Sequence, residues 1–187
     1  MHQFPFALLP SILILAGCGE VAPSTAARLA ALDPGCFDPA QVSLVAVMPE
    51  GLDPLPGTAR LTFQAERSGQ SRAGEFALQE TATPPNVPLP AGAHTRTYAL
   101  AAPEAEKLRT MQTEIAAITT DGRTDVRIGM ALGGCRQGTG PAERAEAAVL
   151  VQLSPGGGFE PLLGPAPLID MIGTEAFAAM PACPAAE

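Results

Sequence analysis

Hydrophobic and polar residues alternate with a period of two along much of this chain. Arg60-Leu61-Thr62-Phe63-Gln64-Ala65-Glu66 sets Leu61, Phe63 and Ala65 on one face of a strand. A turn at Ser68-Gly69-Gln70-Ser71 leads into a less regular strand from Glu75 to Thr83, containing Phe76 and Leu78, so the two read as a hairpin. Thr124 to Leu132 is the clearest strand, with Val126, Ile128, Met130 and Leu132 on one side. Ala145 to Leu153 repeats the pattern with Ala147, Val149, Val151 and Leu153. Val42 to Met48 is almost continuously apolar, as expected of a strand covered on both faces. Thr95 to Leu100 and Phe159 to Leu163 also have strand character.

The period lengthens once. Ala105, Leu108, Met111, Ile115 and Ile118 recur at spacings of three and four. Pro103 suits a first helical turn, where its missing N–H costs nothing. Glu104 and Glu106 suit the positive end of the helix dipole, and Thr119-Thr120-Asp121-Gly122 is the expected stop. Between these elements, Pro49 to Gly57 reads as a loop and Gly133-Gly134-Cys135 as a break. Pro84 to Pro90 reads as an extended, polyproline-like connector. Pro167 to Ala179 suggests one or two helical turns interrupted by Gly173. The pattern predicts an α+β, mainly β domain: an antiparallel sheet or sandwich covered by one long amphipathic helix. An immunoglobulin-like sandwich is the runner-up, weakened by that helix and by the absence of Trp.

The amino terminus follows different logic. Phe4 to Leu15 is apolar but shorter than the roughly 20 residues of a membrane span, and matches the h-region of an export signal. It runs into Leu15-Ala16-Gly17-Cys18, which resembles the lipobox of bacterial lipoproteins. Met1-His2-Gln3 departs from the usual pattern in carrying no Lys or Arg. The resemblance implies cleavage before Cys18, a diacylglycerol thioether on its sulfur, and acylation of the new amine. Two or more acyl chains hold a protein stably on a bilayer. Gly19, where inner-membrane lipoproteins often carry Asp, implies the outer membrane, with the domain facing the periplasm. The expected organisation is a signal peptide at 1–17, a flexible tether at 18–35 and a single domain at 36–187.

Composition narrows the partners. Nineteen acidic against eleven basic residues give a net charge of −8, with a single lysine, which excludes a phosphate-neutralising nucleic-acid binder. A hydrophobic content of 47% with 16% charged residues excludes a wholly disordered chain. Residues 1–17 contain no Asp, Glu, Lys or Arg, so all of the charge belongs to the part that follows.

Candidate chemistry is sparse. With Cys18 lipidated, Cys36, Cys135 and Cys183 remain, and an oxidising compartment permits one disulfide among them. Cys36–Cys135 is the favoured pair because both flank strand patterns, with Cys183 as the alternative partner. No CxxC or CxxH spacing exists, so neither a metal nor a cofactor is expected. His94 is the one histidine beyond the signal and the only, weak, candidate for proton transfer. Asp33, Asp38 and Asp53 each precede proline and read as turn residues. Tyr98, the only tyrosine, reads as an anchor of the strand–helix junction. The expectation is a membrane-anchored envelope lipoprotein that binds a protein partner in assembly, scaffolding or inhibition. The alternative is a lipid-anchored hydrolase using His94 with an acidic partner.

Overall fold

The computed structural model describes residues 37–81, 89–118, 124–154 and 156–185. Cys18, Cys36, the expected tether, most of the proline connector and the expected helix stop at 119–122 lie outside them. Within them the protein is mainly β. A one-turn 3-10 helix at Pro39–Gln41 leads into β1 (Ser43–Met48), β2 (Leu52–Pro54), β3 (Arg60–Arg67), β4 (Gln70–Thr81) and β5 (His94–Leu100). Then come α1 (Ala102–Ala116), β6 (Thr124–Ala131), β7 (Gly134–Arg136), β8 (Glu146–Gln152), β9 (Glu160–Pro167), α2 (Leu168–Ile172) and α3 (Thr174–Ala178).

Seven strands form one antiparallel sheet in the order β6-β3-β4-β5-β1-β8-β9, and β2 pairs with β7 in a separate two-stranded ribbon. The expected β3–β4 hairpin forms with a tighter turn than its sequence suggested. Arg67 pairs directly with Gln70, and only Ser68 and Gly69 lie between them. Both turn residues have positive φ, 52° and 77°, the backbone that matches the twist of the flanking strands. As the run of apolar residues predicted, β1 is covered on both faces. Leu44, Ala46 and Met48 join the main core, while Val45 and Val47 pack with Ala148, Leu150 and Phe159 on the other side.

The main core lies on the face carrying Leu61 and Phe63 of β3, Phe76 and Leu78 of β4, Val126 and Ile128 of β6, and Val151 of β8. The expected single long amphipathic cover does not form, because helix is divided among three short pieces. The largest, α1, packs on β4, on the one-turn helix at Pro39–Gln41, and on β3 and β5. It begins at Ala102 with proline in its first turn and buries Ala105, Leu108, Gln112 and Ile115. Gln112 is a polar member of that stripe, and its amide donates to the Phe37 carbonyl at 3.1 Å, which satisfies it. Met111, expected in the stripe, sits at its margin over Gly74. A Cβ on Gly74 would meet the Met111 Cε at 2.7 Å, so the Met111 terminal methyl occupies the space that glycine leaves open. Arg109 ties the helix to the chain before β1 by donating to Asp38 at 2.7 Å. That guanidinium holds the Asp38 carboxyl below the usual carboxylate range.

The ribbon is the main departure from expectation. Leu52-Asp53-Pro54 reads as loop and Gly134-Cys135 as a break, yet they pair as β2 and β7 with Asp53 opposite Cys135. Gly51 makes the bend possible. Its φ is +83°, its carbonyl accepts from the Gln137 N–H at 2.9 Å, and a Cβ there would lie 2.5 Å from the Gly140 backbone carbon. Gly51→Ala therefore combines a left-handed backbone with a clash against main chain. It should lower stability by at least about 2 kcal/mol, read as the urea midpoint at unchanged slope.

Candidate functional site

Alternation along β5 puts His94, Arg96 and Tyr98 in one row, facing the ribbon. The register sets Glu80 of β4 beside Tyr98. Asp53 of β2 meets this row from the other side. Its Oδ1 accepts from His94 Nε2 at 3.1 Å and lies 3.6 Å from Arg96 Nη2, while Oδ2 accepts from the Gln137 side-chain amide. Arg96 Nε lies 3.4 Å from Glu80 Oε1. A carboxylate only accepts, so His94 Nε2 carries the proton in this bond. The Asp53 side chain is 19% exposed against 34% for His94 and 39% for Arg96, so the acid is the fixed centre of the cluster.

The cluster borders a groove of about 510 Å³ between the ribbon and the β4–β5 surface. Pro54, Leu55, Pro56, Leu78 and Tyr98 supply apolar lining, and Asp53, Glu80, Arg96 and Gln137 the polar groups. Cys135 and Cys183 line it as well, and they are joined by a disulfide with Cα atoms 4.8 Å apart. This corrects the favoured Cys36–Cys135 pairing in favour of the alternative partner. The physical reason is local: the tail runs alongside β7. Arg136 N–H donates to the Pro181 carbonyl at 2.7 Å, and Cys183 N–H donates to the Arg136 carbonyl at 3.0 Å. Cys183 is thereby presented to Cys135 by backbone hydrogen bonds that no sequence spacing announces.

His94, the sequence candidate, is brought to a carboxylate, but it does not line the groove. Both cysteines near the groove are consumed by the disulfide. Asp53, Arg96, Glu80 and Gln137 were missed. The row His94-Arg96-Tyr98 at every second position was the one available signal. Asp53 offered none, since it lies 41 residues from His94 and 84 from Gln137. Among the described residues no group of three or more His, Cys, Asp and Glu side chains is arranged to hold a metal ion.

Tyr98 lies at the strand–helix junction as expected, and it is also part of the groove. Burial, and then the nearby Glu80 charge, push its phenol up to about 12 from 10.0. A raised folded value means that the fold favours the neutral phenol. Its contribution is complete below pH 10 and is lost as the pH rises toward 12. Because it is the only tyrosine, tyrosinate absorbance reads this one group. The folded protein should titrate near 12 and the urea-unfolded chain near 10.

The fold and site define a mainly β, disulfide-stapled domain with a ribbon-walled groove. Compared with known proteins, the chain matches no family model, no curated protein and no solved structure.

Proposed function

We propose that this is a lipid-anchored envelope protein, held through Cys18 on the outer membrane and facing the periplasm, that binds a protein partner without catalysing a reaction. The observation that carries the binding reading is the groove. Its apolar floor gives contact area, and Asp53, immobilised by His94, Arg96 and Gln137, gives a fixed polar reference at its edge. Recognition sites combine these two elements, and a site fixed by its own contacts loses little entropy when it binds. The Cys135–Cys183 disulfide supports an exported domain independently of the amino terminus, because such bonds persist in oxidising compartments.

The test is photo-crosslinking in native envelopes, with the probe at Leu55 in the groove or at Glu175 on exposed α3. A discrete adduct from Leu55, absent from Glu175 and lost in Asp53→Ala, is the expected result. Equal labelling from both positions would overturn the groove as the binding surface.

The Asp53–His94 hydrogen bond favours a second reading, a hydrolase. A carboxylate on Nε2 orients the ring and stabilises the imidazolium, leaving Nδ1 to take a proton. Hydrolysis of an activated ester that disappears in His94→Gln supports it. Identical rates for both proteins reject it.

A further inference from the structure

The tail that lines one side of the groove is attached differently from the rest of the fold. Met180 is buried in the main core, but no described residue beyond it is: Pro181, Ala182, Pro184 and Ala185 are exposed and Cys183 is half-buried. The tail meets β7 in a single parallel bridge between Ala182 and Arg136. Arg136 donates its N–H to the Pro181 carbonyl and accepts the Cys183 N–H on its own carbonyl. This ladder extends in neither direction. Pro181 has no N–H to offer toward Gly134, and beyond Arg136 the chain turns away, with the Gly140 N–H donating to the Gln137 carbonyl at 2.8 Å.

Ordering a residue costs at least as much as an exposed hydrogen bond returns, so hydrogen bonding alone does not fix the residues from Pro181 to Ala185. The Cys135–Cys183 bond does. It also lies within reach of reagents in the groove, which both cysteines line. Cys135 is 1% exposed and Cys183 half-buried, so an incoming thiolate meets the Cys183 sulfur first.

We propose that Cys135–Cys183 is a redox latch, through which a dithiol reductant releases the tail and opens the groove while the sheet stays folded. One thiolate of the dithiol attacks Cys183 Sγ, and the Cys135–Cys183 bond breaks with Cys135 leaving as a thiolate that takes up a proton. The second sulfur of the dithiol, as a thiolate, then attacks the mixed disulfide and expels Cys183, which is protonated in turn. Two electrons pass to the protein, and the dithiol becomes a disulfide. Release withdraws Cys183 and Pro184 from the groove lining and bares the Arg136 N–H and C=O on the edge of β7. The buried Met180 sets the point at which release stops, and the Gln137 N–H bond to the Gly51 carbonyl holds the end of β7 from the other side. The latch acts on the shape of the groove, whether or not a partner binds there.

The test uses the full chain with Cys18→Ser and Cys36→Ser, so that only Cys135 and Cys183 react and no lipid is present. Backbone order parameters are measured by NMR relaxation before and after dithiothreitol, with the free thiols counted by alkylation and mass. Dithiothreitol should reduce the bond without urea. The order parameters of Ala182 and Cys183 should then fall from about 0.85 to below about 0.6, while those of Gln137 and Val45 stay near 0.85. In a chain with one tyrosine and no Trp, tyrosine emission reports Tyr98 in the groove, and reduction should make it more accessible to acrylamide. Four results would each overturn the proposal. They are reduction only after unfolding, a tail that stays rigid once reduced, Gln137 and Val45 loosening together with the tail, and unchanged quenching of Tyr98.

Discussion

Cys183→Ala should lower the unfolding free energy by about 4 kcal/mol. The disulfide links residues 48 apart, and closing a loop of that size removes roughly this much chain entropy from the unfolded state. Cys135 is 1% exposed and Met180 5%, so the bond also closes over packed residues. Without it the contacts left to the tail include the two Arg136 backbone hydrogen bonds and the buried Met180 contact. Urea unfolding of the oxidised protein, of Cys135→Ala/Cys183→Ala and of the fully reduced protein is the direct comparison. The last two should share a midpoint well below the first. A difference under about 1 kcal/mol would show that the cross-link adds little to this fold.

Phe63→Ala should cost about 3–5 kcal/mol. Phe63 is 1% exposed on the central face of β3, paired with Gly74 on one side and Ile128 on the other. Neither neighbour can fill the space: Gly74 has no side chain and already accommodates Met111, and Ile128 belongs to the same packed face. Phe63 also meets Phe37 as a tilted ring pair, at a centroid distance of 6.1 Å and an interplanar angle of 56°. Its loss therefore loosens the chain entering β1, which Gln112 and Arg109 hold from the helix side. Phe37→Ala and Phe63→Ala measured singly and together should be non-additive by about 0.5–1.5 kcal/mol. Full additivity would mean that the two rings act independently.

The parts of the fold legible in the sequence were those whose burial repeats. Leu61-Phe63-Ala65 and Val126-Ile128 could be assigned to a sheet face because each strand presents one face to a shared core. The helix was legible through Ala105, Leu108 and Ile115. Gln112 was not, since its burial depends on the Phe37 carbonyl, 75 residues away. β2 and β7 were illegible because three residues carry no periodicity, and Pro54 and Gly134 are locally turn-forming. Their pairing is a tertiary event, fixed by the disulfide and by the Gly51 bend. The site inherits that opacity. Asp53 before a proline reads as a turn residue, and only the ribbon carries it to His94 and Arg96. The cysteine pairing likewise turned on the tail lying against β7.

The functional proposal rests on the amino terminus, where Cys18 of Leu15-Ala16-Gly17-Cys18 is the proposed lipidation site. Metabolic labelling with radioactive palmitate, on the wild-type protein and on Cys18→Ala, tests it most directly. The account predicts label on the wild type, none on Cys18→Ala, and release of the variant from the membrane fraction. Absence of label from both proteins, or equal label on both, would contradict it.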